Sequence, residues 1–232
     1  MLPVKQGARG PQSQGTSVPY STCTPMIARR KRGQALPNRA AGTAAPRRLT
    51  IDANGVATLA RQAPSPNRDP RPADTPVTLI VIHGISLPPG EFGGDAIERL
   101  FTNRLDPDAH PYYATIAKLE VSAHFLIRRD GALVQFVACA ERAWHAGASA
   151  WKGRERCNDY SVGIELEGTD EIPYTVAQYA MLARLAKALR RRYPIADIVG
   201  HGDIAPGRKT DPGPAFDWAR LRRRLGQAAP RA

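Results

Sequence analysis

Residues 77–82 read VTLIVI, a run of β-branched and apolar side chains that ends at His83-Gly84. Such a run is typical of a strand buried on both faces. A second apolar stretch, residues 198–200, ends at His201 in the same way. If the two strands are neighbours, both imidazoles emerge at one edge of a sheet, where α/β proteins commonly build their sites.

Two further patterns define the type of sheet. Residues 124–127 and 133–136 flank Arg129-Asp130-Gly131, and Asp-Gly between apolar runs is a strong hairpin signal. Residues 162–166 predict another strand. Because the hairpin requires an antiparallel pair among strands that alternate with helices, the sequence predicts an α/β domain with a mixed β-sheet flanked by helices.

Residues 175–193 form the strongest helix pattern. Thr175 is a suitable N-cap, and apolar residues recur at steps of three and four. Arginines at 190–192 occupy the last turn, where cations suit the helix dipole. Shorter helices are predicted over residues 95–101 and 216–225.

The charge of the chain is concentrated at its beginning. The 33 Lys and Arg and 21 Asp and Glu give a net charge of +12, but residues 1–50 contain nine of the basic residues and no acidic one, which leaves 24 against 21. Residues 1–48 are therefore predicted to be a disordered basic head, explained by an over-long start assignment, and residues 49–232 the folded domain. A nucleic-acid-binding role ranks low because, apart from Tyr20, the head lacks aromatic residues for base stacking.

Several features favour a cytoplasmic protein without a membrane partner. No window has the roughly 18 apolar residues of a membrane span, and no apolar stretch of roughly 7–15 residues follows the basic start as in a secretory signal. Cys23, Cys139 and Cys157 have no motif spacing. This small, odd number of cysteines predicts no disulfide framework and suits a reducing compartment.

A candidate metal site emerges from His83, His201 and Asp211. The loop after His201 is stiffened by three prolines and could return Asp211 to the two histidines. Two histidines, one carboxylate and an open position are typical of catalytic zinc. The spacing alone is a weak signal, since His and Asp are common in polar loops.

The glutamate pair Glu165 and Glu167, and Lys209, can each be interpreted as catalytic or as ordinary solvent-facing residues. Glu165 and Glu167 lie on one face of the predicted strand, where one could act as a general base or both could face solvent. Lys209 could stabilise an oxyanion or be a solvated loop lysine. Spacing does not decide between these alternatives.

Longer motifs resemble one known family. In the order of the chain they are VIHGISLPPGEFGG (81–94), VSAH (121–124), RAWHAG (142–147), GRERCND (153–159), GIELEGTD (163–170) and the block at 200–218. Together they resemble the AmpD-type 1,6-anhydro-N-acetylmuramoyl-L-alanine amidases over about residues 49–225. Several long motifs in family order are far more specific than a pair of histidines.

The resemblance implies a fold shared with peptidoglycan-recognition proteins and one zinc ion. It places His83, His201 and Asp211 at the metal-ligand positions, Glu165 at that of the catalytic glutamate and Lys209 at that of the catalytic lysine. The implied reaction is hydrolysis of the amide between anhydro-N-acetylmuramic acid and L-alanine in small muropeptides, during cytoplasmic cell-wall recycling. We expect a monomer.

The resemblance also suggests substrate contacts. Arg156 is expected to bind a muropeptide carboxylate, and Trp144 either lines the sugar site or belongs to the core. His124 and His145 match no metal-ligand position and are interpreted as structural or lining residues.

The sequence departs from the family pattern at Gly84, where Asn is more common, and at Glu120, where a basic residue can stand. Three rival functions remain: a non-catalytic muropeptide-binding protein, a nucleic-acid-binding protein and an exported amidase that acts on intact wall. The filled metal and catalytic positions favour an enzyme.

Overall fold

The strands of the domain form one large sheet and two small ones. A computed structural model of the chain describes residues 48–226. Its strands are β1 Arg61–Gln62, β2 Arg68–Pro70, β3 Leu79–Ile85, β4 Phe125–Ile127, β5 Leu133–Gln135, β6 Glu141–Ala143, β7 Ala150–Trp151, β8 Arg154–Glu155, β9 Ser161–Glu167 and β10 Asp197–Gly200. Its helices are α1 Ala96–Phe101, α2 Pro111–Ile116, α3 Val176–Arg192, α4 His201–Ile204 and α5 Trp218–Leu225.

The large sheet has six strands in the order β1-β5-β4-β9-β3-β10. β4, β9, β3 and β10 are parallel neighbours, while β5 runs antiparallel to β4 across the Asp130-Gly131 turn. β2 pairs with β6 and β7 with β8. The predicted mixed sheet with flanking helices is therefore confirmed, and so is the hairpin.

Side chains alternate strictly across the two central strands. Ile80 and Ile82 of β3 and Ile164 of β9 pack in one core with α3 and α5. Leu79 and Val81 of β3 instead pack in a second cluster on the other side of the sheet. Because successive residues of a strand point to opposite faces, odd-numbered residues of both strands lie on the face away from α3.

The helix predicted over residues 175–193 is α3. Thr175 Oγ1 accepts a hydrogen bond from Gln178 N, and Gln178 Oε1 accepts one from Thr175 N, so the helix begins with a complete capping box. Leu182, Leu185 and the other apolar residues of its stripe are buried. The helices predicted over 95–101 and 216–225 are also present as α1 and α5.

Some elements differ from prediction. The strand predicted over residues 77–82 continues to Ile85, so His83 lies within β3 and not after its end. No sequence pattern predicted α2, α4 or the short strands β1, β2, β6, β7 and β8. The predicted disordered head lies outside the described residues except for Arg48. Among residues 48–226, no helix is long and apolar enough to cross a membrane.

The contact of α3 with the sheet gives a test of the fold. Leu182 is 0% exposed, and replacing it by Ala is expected to lower the free energy of unfolding by about 2–5 kcal/mol, because the removed atoms leave a cavity. Val176 on the same helix is 58% exposed, so V176A should change stability by less than about 0.5 kcal/mol. Chemical denaturation of both variants measures the difference; equal stabilities would contradict this packing.

Candidate metal and catalytic site

Three side chains converge as the sequence predicted. His83 Nδ1 lies 3.0 Å from His201 Nδ1 and 3.2 Å from Asp211 Oδ2, and His201 Nδ1 lies 3.1 Å from the same oxygen. His83 and His201 are buried, and Asp211 is partly buried. The three atoms form a triangle with one imidazole nitrogen or carboxylate oxygen at each corner.

Strand pairing brings the two histidines together. β10 runs parallel to β3 with Gly200 beside Ile82, so His201, the first residue of α4, follows at the level of His83. The loop that carries Asp211 is fastened beside them because Gly202 N donates a 2.9 Å hydrogen bond to Asp211 O. A side chain at position 200 would crowd this loop, since an added Cβ would lie 2.9 Å from Pro212 Cδ.

Hydrogen bonds at the far sides of the rings orient both histidines. His201 Nε2 is 3.2 Å from the carbonyl oxygen of Ala146, so this nitrogen carries the proton and donates it. His83 Nε2 is 2.9 Å from His145 Nδ1. Each metal-site histidine therefore presents Nδ1 to Asp211.

Burial and charge set the protonation states of these groups. Burial lowers the pKa of His83 to about 4, although Asp211 acts in the opposite direction. Burial alone would raise the pKa of Asp211, but its close contacts with His201 and His83 outweigh burial and hold that pKa below its usual range. At neutral pH the cluster therefore offers a neutral imidazole at His83 and an ionised carboxylate at Asp211.

Glu165 lies beside this cluster because β9 pairs with β3 in a register that sets Glu165 against His83. It is 8% exposed, and among the described residues no group donates a hydrogen bond to its Oε2 atom. Burial and then the negative charge of Asp211 raise its pKa well above the usual value, while Lys209 opposes the shift. A buried, unpaired carboxyl group is costly, which makes Glu165 a candidate functional residue.

The donor set fits a zinc ion. Zinc takes imidazole nitrogen and carboxylate oxygen ligands at about 2.0–2.2 Å, and tetrahedral ligand atoms at such distances lie roughly 3.3–3.5 Å apart. The three donor atoms are separated by 3.0–3.2 Å, so only a small expansion would be needed. A cation there would also offset the repulsion between Asp211 and Glu165.

The cluster forms the floor of a cleft of about 740 Å³. Lys209 reaches the cleft from the Asp211 loop, and Tyr112, Ile116 and Leu119 supply an apolar wall. Glu120 is exposed directly after Leu119 in the chain. The cleft therefore has a charged floor and an apolar side.

Arg156 and Trp144, the two predicted substrate contacts, lie outside the lining of this cleft. Of the described residues, those that line the cleft include neither Arg156 nor Trp144. Arg156 is exposed and pairs with Asp159 at 3.1 Å, while the Trp144 side chain lies near Asp69 and helps to lower the pKa of that carboxyl group. Substrate contacts by Arg156 and Trp144 stay predictions.

The departure at Gly84 has a steric explanation. A Cβ added at Gly84 would lie 2.4 Å from Tyr174 Oη. That hydroxyl donates a 3.0 Å hydrogen bond to the carbonyl oxygen of Pro212, the residue after Asp211. Because Gly84 has no side chain, the Tyr174 hydroxyl has space to hydrogen-bond to Pro212 and so to stabilise the loop that carries Asp211. No local sequence pattern points to Tyr174, because its partner Pro212 is remote in the chain.

Glu167 does not face solvent, which corrects one of the two interpretations of the glutamate pair. It is 2% exposed, and its carboxylate accepts hydrogen bonds from Arg128 at 3.1 Å and from Gly93 N at 2.6 Å. Glu167 thereby ties the loop before α1 to the end of β9. Its carboxylate is paired, in contrast to Glu165.

Known proteins share this sequence and architecture. A sequence profile of N-acetylmuramoyl-L-alanine amidases matches residues 73–214. The 1,6-anhydro-N-acetylmuramyl-L-alanine amidase AmpD of Enterobacter cloacae is 62% identical over 170 residues, which cover 72% of this chain and 91% of that protein. AmpD of Escherichia coli K12 is 62% identical over 165 residues, covering 70% and 90% of the two chains.

A solved structure agrees in fold. The crystal structure of a selenomethionine derivative of AmpD matches with a TM-score of 0.73 at 60% identity and covers 74% of this chain and 97% of that chain. The amidase fold expected from the motifs is thus confirmed. The chain therefore belongs to the N-acetylmuramoyl-L-alanine amidase family and is an enzyme similar to its AmpD members.

Proposed function

We propose that the chain uses zinc to hydrolyse the amide between 1,6-anhydro-N-acetylmuramic acid and L-alanine in small muropeptides. The observation that carries the proposal is the buried carboxylate of Glu165, unpaired at Oε2 and set beside the cluster of His83, His201 and Asp211. A general base is needed where water attacks an amide, and a structural carboxylate would have found a partner.

His83, His201 and Asp211 would hold the zinc ion through two Nδ1 atoms and one carboxylate oxygen. When bound there, zinc lowers the pKa of a water molecule to about 7 and polarises the substrate carbonyl. Glu165 takes a proton from the attacking water and then gives it to the leaving nitrogen of L-alanine. Its raised pKa suits both steps, because a carboxyl group that titrates closer to neutral pH can accept and return a proton.

Lys209 supplies the second electrostatic element. Its ammonium group lines the same cleft and is close enough to lower the pKa of Glu165. As the carbonyl becomes tetrahedral, negative charge develops on its oxygen, and a fixed cation nearby stabilises that charge. Lys209 is exposed in the open cleft and would be shielded from water by bound substrate.

The cleft supports a compact substrate. Its volume of about 740 Å³ lies within the roughly 300–1,000 Å³ of small-molecule sites and suits one sugar with a short peptide. The apolar wall at Tyr112, Ile116 and Leu119 can pack against the anhydro-sugar, whose extra ring makes it less polar. The similarity to AmpD enzymes supports the anhydro form. Arg156 remains our candidate for binding a peptide carboxylate.

We also propose that the enzyme acts in the cytoplasm, as a monomer, in cell-wall recycling. Within residues 48–226, Cys139 and Cys157 are both buried free thiols, which suits a reducing compartment. Cell fractionation and size-exclusion chromatography test these two points.

The reaction is tested by incubating the protein with 1,6-anhydromuramoyl-tripeptide, with and without a zinc chelator, and identifying products by mass spectrometry. Release of tripeptide and anhydro-sugar is expected, with loss on chelation and recovery on adding zinc. Cleavage that survives complete zinc removal would overturn the metal assignment. Cleavage of intact peptidoglycan instead would indicate an amidase of the wall.

Replacing Glu165 by Ala tests its role. Loss of the general base is expected to lower kcat by about 10²–10⁴, while the zinc content stays at one ion per chain because no ligand is removed. Steady-state kinetics and metal analysis on the same preparation measure both quantities. E91A, at an exposed glutamate outside the lining of the cleft, is the matched control. Near-normal turnover of E165A would remove Glu165 from the reaction.

The raised pKa of Glu165 also predicts a pH-dependent effect on stability. Because the folded chain holds this proton more tightly than the unfolded chain, stability is lost as pH rises from the usual value of 4.5 towards the folded pKa. In zinc-free protein, E165Q should therefore be more stable than wild type at pH 8 and should lose that advantage near pH 4. Thermal unfolding with chelator at both pH values measures this, with E171Q as the charge control. An equal difference at both pH values would contradict the shift.

A further inference from the structure

We propose that His145 is a positioning residue of the metal site, which fixes the tautomer and the ring orientation of His83. This inference rests on the proposed zinc site and adds a residue to which the sequence motifs assign no metal role. Metal-binding histidines usually donate their second N–H to a carboxylate, a carbonyl or water. In this chain the group that meets that nitrogen of His83 is another imidazole.

The two nitrogens of His83 have different surroundings. Nδ1 faces His201 and Asp211, and Nε2 faces His145 Nδ1 at 2.9 Å. A neutral imidazole has one N–H donor and one acceptor. For Nδ1 to offer its electron pair to a metal, Nε2 must carry the proton, and His145 Nδ1 must accept it. The alternative tautomer of His83 would leave Nδ1 unable to bind a metal.

The partner on the far side of His145 can complete this direction of donation, because a serine hydroxyl is able to accept a hydrogen bond. His145 Nε2 lies 3.1 Å from Ser161 Oγ, and the Ser161 side chain is fully buried in β9. With Nδ1 acting as acceptor, Nε2 carries the proton and donates it to Ser161. With a metal at His83 Nδ1, the hydrogen bonds therefore run in one direction from His83 through His145 to Ser161, and each ring then has one neutral tautomer.

The backbone of β9 is shaped around the His145 ring. A Cβ added at Gly163 would lie 2.5 Å from His145 Cγ and 2.7 Å from Nδ1. Glycine weakens a strand interior, and it often marks a place where another group approaches the backbone closely. Gly163 therefore seats the ring against the central strand, two residues from Glu165. Asn158 Oδ1 accepts hydrogen bonds from His145 N and Ala146 N, which holds the loop in place.

The neighbouring histidine cannot perform the same task. His124 Nδ1 accepts a 3.0 Å hydrogen bond from Gly163 N, and its Nε2 lies 3.1 Å from the carbonyl oxygen of Glu141. Both of its nitrogens are thus engaged with the backbone. His145 is the imidazole that links a metal-site histidine to β9.

Asn and Leu have nearly the same shape as each other, so replacing His145 by each of them separates hydrogen bonding from packing. H145N keeps an oxygen acceptor near the position of Nδ1, whereas H145L has a similar volume and no acceptor. We expect H145L to bind zinc about 10–100-fold more weakly than wild type, the range for lost support of a metal ligand, and H145N to stay close to wild type. Competition with a chromophoric chelator gives the zinc Kd, and circular dichroism of the zinc-free proteins checks folding.

Equal zinc affinities of folded H145L and H145N would overturn the proposal, because packing alone would then explain His145. S161A provides a second test in case H145L does not fold. It removes the acceptor for His145 Nε2 without touching His83, and zinc affinity should fall in the same direction. Unchanged affinity in S161A would also overturn the proposal.

The same experiment separates this inference from the proposed function. Wild type that binds no zinc would refute the zinc site itself. Wild type that binds zinc and cleaves anhydro-muropeptide, together with equal affinities of the Leu and Asn variants, would refute only the role of His145.

Discussion

The site depends on the parallel pairing of β3 with β9, in which His83 lies beside Glu165. Both strands are buried on two faces, so alternation directs these side chains away from α3 and towards the cleft. A shift of one residue in the register would turn Glu165 into the α3 core and bring an apolar side chain to the site. The apolar contacts of Ile82 and Ile164 with α3 therefore hold His83 and Glu165 together.

The same arrangement places polar groups where burial is costly. Burial lowers the pKa of His83 to about 4 and raises that of Glu165 well above its usual value, so each tends towards its neutral form. Asp211 stays ionised because its contacts with His201 and His83 lower its pKa. A divalent cation would be attracted by Asp211 and would ease its repulsion with Glu165. The buried polar groups of the cluster lower the stability of the metal-free protein. Such a cost is expected of a site that is organised to bind a metal.

Local signals explain what could be predicted of the fold. The hairpin at Asp130-Gly131, the capped helix α3 and the strands around residues 80 and 164 carry their patterns within a few residues, and each was found. The short helix α2 and the two-residue strands have no such pattern, since they form where the rest of the domain provides partners. The same reasoning applies to Glu167, whose partner Arg128 follows the neighbouring strand β4 and is remote in the chain.

By itself, the sequence determined the family, the mixed α/β architecture and the residues that meet in the cleft, because ordered motifs and strand patterns are properties of neighbouring residues. Tertiary structure decided which nitrogen of His83 faces the metal site, why Gly84 can stand beside Tyr174, and how Gly163 seats His145. Arg156 and Trp144 were likewise located only by the folded chain. Hydrogen-bond direction and steric room arise between residues far apart in the chain, so no local pattern encodes them.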